Sequence, residues 1–183
     1  MNIILASKSP RRKELLSRII DTFSIIPANI NEDKFSINQV SFQKAKKIAE
    51  IYKDDLIISA DTIVIIDNVV LGKPKDKFEA KKMLNLLSNR THEVITYYSL
   101  YIFNANYIKN NKVVTKVTFN KLSEEIIDRY IETQSPLDKA GAYGIQDENF
   151  HLVKSIDGEK ENVIGLPIKE LKEDLVFLGI KTK

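Results

Sequence analysis

The sequence contains no cysteine, which excludes a disulfide scaffold, a thiolate metal site and a thiol nucleophile. The same lack is compatible with a reducing compartment. No apolar run approaches the roughly 18 residues that span a membrane. The apolar run that begins at Asn2 ends at Ala6, which is too short for the core of a signal peptide. We therefore expect a cytoplasmic protein that does not act at a membrane.

Internal repeats, low-complexity tracts and Gly/Ser-rich linkers are also missing, so the sequence marks no sharp domain boundary. A chain of 183 residues can bury a sizeable core, and it fits one domain over residues 1–183 or two small lobes that share a core. The net charge of +3 suits an anionic ligand but does not identify one. Arginine is scarce, yet two of the five arginines are adjacent at Arg11 and Arg12.

The pattern of apolar residues predicts helices that alternate with strands at first, followed by a β-rich stretch. A hairpin turn is expected at Asp67-Asn68, and a polar turn is expected around residues 104–111. The predicted strands lie at 2–6, 56–66, 69–71, 94–103, 113–122 and 150–156, and the predicted helices at 10–20, 45–52, 76–87, 123–131 and 167–178. This order indicates an α/β fold with a mixed, twisted sheet rather than a purely parallel one.

The first candidate site lies where a strand ends and a helix begins, at Ser7-Lys8-Ser9-Pro10-Arg11-Arg12. The first turn of a helix has free backbone N–H groups and a positive dipole end. Two arginines there add bidentate donors that suit phosphate. An ordinary capped helix with solvated arginines is an equally good interpretation of these residues alone.

The second candidate is Asp61, a carboxylate inside the most apolar strand of the chain. A buried charge needs a partner, a metal or a solvated cleft, although a lone aspartate often just bonds nearby backbone. The hairpin that follows could return Lys73 to its neighbourhood, and a carboxylate beside a lysine suits phosphoryl chemistry. Gly72-Lys73-Pro74 is not a P-loop. His92 and His151 stand alone and are predicted to be structural.

The third candidate is the segment DKAGAYGIQ at residues 138–146. Its glycines, Gly141 and Gly144, allow backbone to approach a ligand closely, while Lys139 and Gln146 supply a charge and an amide. A tight loop with a half-buried tyrosine is the plain alternative. An RNA-binding GxxG loop is disfavoured because the flanking helices of a KH domain are absent, so nucleic acid is not expected as a partner.

Taken in order, eight segments resemble the Maf family of nucleotide pyrophosphatases, and the ordered set is highly specific. They are LASKSPRRKELL at 5–16, KAKKIA at 44–49, ISADTIVI at 58–65, LGKPKDKFEAKKML at 71–84, LSNRTHEV at 87–94, VTF at 117–119, DKAGAYGIQ at 138–146 and NVIGLP at 162–167. The resemblance implies a mixed α/β fold of two lobes around a central cleft, related to the inosine-triphosphatase architecture.

The resemblance also implies hydrolysis of the α–β phosphoanhydride of a nucleoside triphosphate with a divalent metal, Mg²⁺ or Mn²⁺. Asp61 would activate the attacking water directly or through the metal, and Glu32 would help to hold that metal. The catalytic residues would be Asp61, Glu32, Lys44 and Lys73. The residues that bind substrate would be Ser7, Arg11, Arg12, Lys139 and Gln146.

The family branch that prefers dTTP and UTP ends the loop with GIQ, as this chain does, whereas the branch for modified guanine nucleotides carries an acid there. The two-faced amide of Gln146 can match the N3–H and carbonyl groups of uracil and thymine. A pyrimidine substrate is therefore expected, including modified uridine or cytidine triphosphates. The chain departs from the family pattern at Asn89, Ser135 and Asp147, and the last two border the expected base pocket.

One rival function belongs to another class. The family is associated with inhibition of septum formation, so the chain could be a nucleotide-binding regulator of cell division whose hydrolysis is incidental. Turnover distinguishes the two, because a regulator would bind nucleotide with negligible release of pyrophosphate. The resemblance also implies a homodimer.

Overall fold

The computed structural model describes all residues, 1–183, as a mixed α/β fold with one seven-stranded sheet and six α-helices. The strands are β1 (Ile3–Leu5), β2 (Ser24–Ile25), β3 (Leu56–Ile66), β4 (Val69–Leu71), β5 (Thr91–Ile102), β6 (Tyr107–Phe119) and β7 (Val153–Asp157). The helices are α1 (Pro10–Ser17), α2 (Val40–Ala49), α3 (Lys77–Leu87), α4 (Glu124–Glu132), α5 (Lys160–Ile164) and α6 (Ile168–Phe177). The predicted fold class is confirmed. None of the helices has the length and apolar character needed to cross a membrane.

The sheet combines parallel and antiparallel pairs in the order β2-β1-β3-β5-β6-β7, with β4 paired to β3. Strand β1 runs parallel to both β2 and β3, which matches the alternation of helices and strands early in the sequence. Strand β4 is antiparallel to β3, and β7 is antiparallel to β6. A mixed sheet follows because the early connections are helical crossovers and later ones include tight hairpins.

The turn at Asp67-Asn68 joins β3 to β4, as the sequence predicts. Both residues adopt positive φ angles, 50° and 63°. Two-residue hairpins favour such turns because their twist matches that of the strands, and short polar side chains tolerate the left-handed region. Ile66 and Val69 are therefore direct partners across the hairpin.

The expected polar turn at residues 104–111 is wrong in extent, because β6 already begins at Tyr107. Two polar side chains of this segment have partners on β5. Asn110 accepts a hydrogen bond from Ser99 (2.7 Å), and Asn111 donates to the Tyr98 hydroxyl (2.6 Å). Cross-strand bonding of this kind overrides the low strand propensity of asparagine.

The chain divides into two compact units, and the first comprises residues 1–61, 96–113 and 165–183. Helix α2 packs its apolar face against β1 and β3 in a core of Ile4, Ala6, Ala45, Ile48, Ala49, Ile57 and Tyr101. Helix α6 contributes Asp174, a buried carboxylate that accepts from the Tyr98 hydroxyl (2.7 Å) and pairs with Lys109 (2.5 Å). Burial raises the pKa of Tyr98, so this network holds its hydroxyl protonated.

The second unit comprises residues 62–95 and 114–164. Helices α3 and α4 cover its core, in which Leu84, Phe119 and Tyr130 are fully buried. Asp76 caps α3 by accepting from the Glu79 N–H (2.8 Å), as its position before the helix predicts.

His92 lies in this second core and has a structural role, as expected. Its ring packs edge-on against Phe119 and Tyr143, with centroids 5.1 and 5.4 Å away, and Nε2 lies 2.7 Å from the Tyr143 hydroxyl. Burial lowers the pKa of His92 to about 4. The imidazole is therefore neutral in the folded protein at neutral pH.

Acid should weaken the fold through this histidine. Between its unfolded pKa of about 6.5 and its folded pKa of about 4, the unfolded chain binds the extra proton, so stability falls as pH falls through that window. When the pH is lowered from about 7 to 5, the free energy of unfolding measured with urea should fall by about 2 kcal/mol less in His92→Phe than in the wild type. The same substitution at the exposed His151, His151→Phe, provides the control. Equal pH dependence of stability in the wild type and His92→Phe would disprove the low pKa assigned to His92.

Candidate active site

The segment before α1 has the geometry expected of an anion-binding turn. Ser9 caps the helix by accepting from the Arg12 N–H, and Pro10 occupies its first position. The buried Ser7 hydroxyl accepts from the Ser9 N–H (3.2 Å) and from Arg12 Nη1 (3.4 Å). Arg12 Nε donates to the Gly165 carbonyl (2.9 Å), which fixes its guanidinium.

A chain of buried hydroxyl groups aligns α2 with β3. The Ser59 hydroxyl on β3 donates to the Ser41 carbonyl on α2 (2.5 Å), and the Ser41 and Ser99 hydroxyls are 3.0 Å apart. Lys44 follows Ser41 by three residues and shares its helix face. Asp61 follows Ser59 by two residues and shares its strand face. The serine contact therefore sets the register that brings Lys44 to Asp61.

Lys44 joins two carboxylates. Its ammonium nitrogen lies 2.8 Å from Glu32 Oε1 and 3.2 Å from Asp61 Oδ1. The side chains of Lys44 and Asp61 are only 11% and 18% exposed, so water screens this pair weakly. Glu32 is 53% exposed at the start of a short 3-10 turn, Glu32–Lys34. The structure thus brings together three of the four predicted catalytic residues.

Arg12 shares the electrostatic environment of this cluster. Burial lowers the pKa of Arg12 from its usual value, and the positive charge of the adjacent Arg11 lowers it further. The negative charges of Asp61 and, to a smaller degree, Glu32 act in the opposite direction and raise it. A guanidinium remains charged at neutral pH after such a shift. Arg12 therefore places a second fixed positive charge near Asp61.

The donor set of Asp61 and Glu32 suits a hard divalent cation. Carboxylate oxygens are the ligands that Mg²⁺ and Mn²⁺ prefer, and Mg²⁺ often uses only one or two carboxylates, completing its shell with water and substrate phosphates. The two groups converge on the same ammonium group, Lys44 Nζ. No group of three or more His, Asp or Glu side chains in the chain has the arrangement of a metal site.

Lys73 lies beside the third motif. Its ammonium group pairs with Asp138 Oδ1 (2.6 Å), and both side chains are more than 60% exposed. The preceding Gly72 carbonyl accepts from the Gly141 N–H (3.0 Å). The sequence predicts Lys73 near Asp61, and that placement stays a prediction.

The loop that carries Gln146 is closed at both ends. The Asp147 N–H donates to the Gly144 carbonyl (3.1 Å), so Ile145 and Gln146 form the tip of a turn. The hydroxyl of Tyr130 accepts from the Gly144 N–H (2.9 Å) and donates to Asp147 Oδ2 (2.5 Å). Gln146 itself is exposed at the tip.

The two positions near this loop that depart from the family pattern are in contact. Ser135 Oγ donates to Asp147 Oδ2 (2.9 Å), and the Lys139 ammonium group donates to the Ser135 carbonyl (2.8 Å). Sequence reasoning missed Tyr130, because its place on the apolar face of α4 indicates only a core residue. Nothing in the sequence marks its hydroxyl as a loop anchor.

A family model described as Maf-like protein matches residues 2–176 of the chain. The chain belongs to the Maf family. It is 46% identical to a "dTTP/UTP pyrophosphatase" from Pyrococcus furiosus, over 99% of this chain and 97% of that one. It is 45% identical to a protein of the same name from Carboxydothermus hydrogenoformans, over 96% and 97% of the two chains. The resemblance inferred from the ordered motifs is confirmed.

Two solved structures share the fold of this Maf protein. A HAM1 protein from Coxiella burnetii superimposes with a TM-score of 0.60 at 16% identity, covering 97% of this chain and 99% of its own. The Ham1 protein of Staphylococcus aureus gives 0.60 at 14% identity, covering 97% and 100%. At such identities the likeness establishes the architecture, which agrees with the fold that the resemblance implies.

Proposed function

We propose that this Maf protein hydrolyses the α–β phosphoanhydride of dTTP and UTP, giving a nucleoside monophosphate and pyrophosphate. The observation that carries the proposal is the half-enclosed cluster in which Lys44 holds Asp61 and Glu32 beside Arg12. Relatives more than 40% identical over nearly the whole chain bear the name dTTP/UTP pyrophosphatase, which supports the same reaction and substrates.

In this reaction a water oxygen forms a bond to the α-phosphorus while the bond from that phosphorus to the bridging oxygen breaks. Asp61 accepts the proton of the attacking water as general base. Pyrophosphate leaves with the electron pair of the broken bond. Positive groups that are fixed beforehand stabilise the charge that develops on the phosphates, and Lys44, Lys73, Arg11 and Arg12 are proposed for this task, with Ser7 as a further donor.

Asp61 and Glu32 are the residues that would hold a divalent metal, Mg²⁺ or Mn²⁺. Such an ion supplies Lewis-acid neutralisation of phosphate oxygens and makes bound water more acidic. When no ion is bound, Lys44 keeps the two carboxylates together, because its ammonium group contacts both. The chain would therefore present a preformed pair of oxygen ligands.

Gln146 is proposed to recognise the base, and Lys139 to support substrate binding at the same loop. Uracil and thymine present an N3–H donor beside a carbonyl acceptor, and one primary amide can satisfy both. Modified uridine or cytidine triphosphates would be accepted when the edge of the base still offers a donor and an acceptor that the Gln146 amide can match. The expected homodimer and cytoplasmic location stay predictions.

A pyrophosphate-release screen tests the proposed function. Purified protein is assayed against canonical and modified nucleoside triphosphates with magnesium and with manganese. Release from UTP and dTTP but not from GTP is the expected result. Tight nucleotide binding without release from any triphosphate would instead favour the regulator of cell division.

Gln146→Glu should lower kcat/KM for UTP and dTTP at least about tenfold, the equivalent of one lost hydrogen bond. The carboxylate cannot donate to a base carbonyl, and it repels the negative charge of the substrate. Gln134→Glu is the matched control, because Gln134 is an exposed glutamine of the same unit. Unchanged specificity constants for both nucleotides would remove the assignment of Gln146.

A further inference from the structure

We propose that the ammonium group of Lys44 takes the place of the divalent ion while no nucleotide is bound, and that the ion enters only together with the triphosphate. The inference rests on the proposed function, because it takes Asp61 and Glu32 as the residues that hold the metal. It concerns the order in which metal and substrate bind, which the reaction itself leaves open.

The ammonium group and a metal would compete for the same pair of carboxylates. Lys44 Nζ lies 2.8 Å from Glu32 Oε1 and 3.2 Å from Asp61 Oδ1. An ion bound to both carboxylates, by either oxygen of each, would lie within a few ångströms of that nitrogen. The side chains of Lys44 and Asp61 are only 11% and 18% exposed, so water weakens the repulsion between the two cations little. The ammonium group must therefore move away before both carboxylates bind an ion.

The cluster is electrically neutral without a metal. Asp61 and Glu32 carry two negative charges, and Lys44 and Arg12 carry two positive ones. Arg12 belongs to the cluster because it interacts electrostatically with both carboxylates, and the adjacent Arg11 adds a further positive charge nearby. A divalent ion added to this arrangement would leave an excess of positive charge in a half-enclosed place. The nucleotide-free protein therefore offers such an ion little net attraction.

A triphosphate reverses this balance. It brings several negative charges, and its oxygen atoms complete the shell of an ion that is bound through only one or two carboxylates. The chain itself has no group of three or more His, Asp or Glu side chains arranged to hold a metal, so phosphate oxygens supply ligands that the protein lacks. The same phosphates attract the Lys44 ammonium group away from the carboxylates.

Lys44 is built to move at its tip while its backbone stays in place. Its helix, α2, is fixed because Ala45 and Ala49 are fully buried and the Ser59 hydroxyl donates to the Ser41 carbonyl (2.5 Å). A lysine ammonium group is a compact charge on a flexible stem of four carbons. The switch from carboxylate to phosphate therefore needs rotation of one side chain and no movement of the helix.

The test measures Mn²⁺ binding to nucleotide-free protein by electron paramagnetic resonance, in which the signal of free Mn²⁺ falls as the ion binds. Lys44→Met should bind Mn²⁺ at least about tenfold more tightly than the wild type, because the competing charge is gone. Lys44→Gln should also bind more tightly, and its amide can still donate to a carboxylate, which helps it to fold. Lys46→Met is the matched control and should keep the wild-type affinity, since it removes a charge from the exposed face of the same helix.

Two further measurements locate the ion and link it to the nucleotide. In the Lys44→Met background, Asp61→Asn or Glu32→Gln should return the Mn²⁺ affinity to about that of the wild type. In the wild type, Mn²⁺ should raise the affinity for α,β-methylene-UTP, which cannot be cleaved at that bridge, at least about tenfold by calorimetry. The gain should be smaller in Lys44→Met, because coupling between two ligands is reciprocal and the ion there binds without nucleotide.

Two results would overturn the proposal. Equal Mn²⁺ affinity of the wild type and Lys44→Met, whether tight or weak, would show that the ammonium group does not compete with the ion. Tighter binding by Lys44→Met that survives both carboxylate replacements would place the ion elsewhere. These binding measurements need no turnover, whereas the proposed function fails if the wild type releases no pyrophosphate from UTP or dTTP with either metal. The two failures are therefore distinguishable.

Discussion

Asp61→Asn is expected to lower kcat for UTP about 10³-fold, the range that removal of a general base produces. Asparagine has nearly the same shape and retains an oxygen that can accept from Lys44, 3.2 Å away in the wild type. It cannot take a proton from water, and it removes one of the two anionic ligands available to a metal. Initial rates of pyrophosphate release at saturating UTP measure the effect.

The matched control for Asp61→Asn is Asp33→Asn, which changes an exposed aspartate of the same unit next to Glu32. It should leave kcat within about twofold, because Asp33 is exposed and is not one of the two carboxylates that Lys44 contacts. Nucleotide binding by Asp61→Asn, followed by calorimetry, should persist because the phosphate-binding arginines remain. Retention of more than a tenth of the wild-type kcat would exclude Asp61 as the general base.

Lys44→Met is expected to lower kcat by roughly 10²- to 10³-fold, as loss of a fixed charge at a reacting centre does. With the ammonium group gone, Asp61 and Glu32 lose the cation that both contact, and their negative charges repel each other. Initial rates of pyrophosphate release at saturating UTP measure the effect.

Lys46→Met serves as the control for Lys44→Met, because it makes the same replacement on the exposed face of the same helix. Both variants lose one positive charge, so a difference between them reports the location of the charge and not the net charge. Normal kcat in Lys44→Met would remove this residue from the catalytic cluster.

Much of the fold could be predicted from local patterns. The Asp67-Asn68 hairpin follows from two apolar segments separated by a polar pair, and Ser9, Asp76 and Ser123 all cap the helices they precede. The start of β6 could not be predicted, because its asparagines are satisfied by partners on another strand. The five residues of α5 are too few to show a helical repeat.

The sequence predicts which residues form the candidate site better than it predicts how those residues are arranged. The ordered motifs contain Asp61 and Lys44, and the family resemblance assigns Glu32, yet no local rule indicates that Lys44 reaches Asp61. That contact depends on the serine bond between α2 and β3, which is a property of packing. The partnership of Tyr130 with Asp147 is likewise invisible in the sequence, because a tyrosine on an apolar helix face indicates a core residue.

The division of the first unit into separated stretches of chain has a consequence for protein synthesis. Residues 1–61 contain the Asp61 cluster, but their unit also needs residues 165–183. Arg12 in particular is bound by the carbonyl of Gly165, which leaves the ribosome after all of the second unit has been made. The nascent chain must therefore carry an incomplete first unit through most of translation. Ribosome stalling or premature termination before residue 165 would leave Arg12 without this carbonyl even though every catalytic residue had been synthesised.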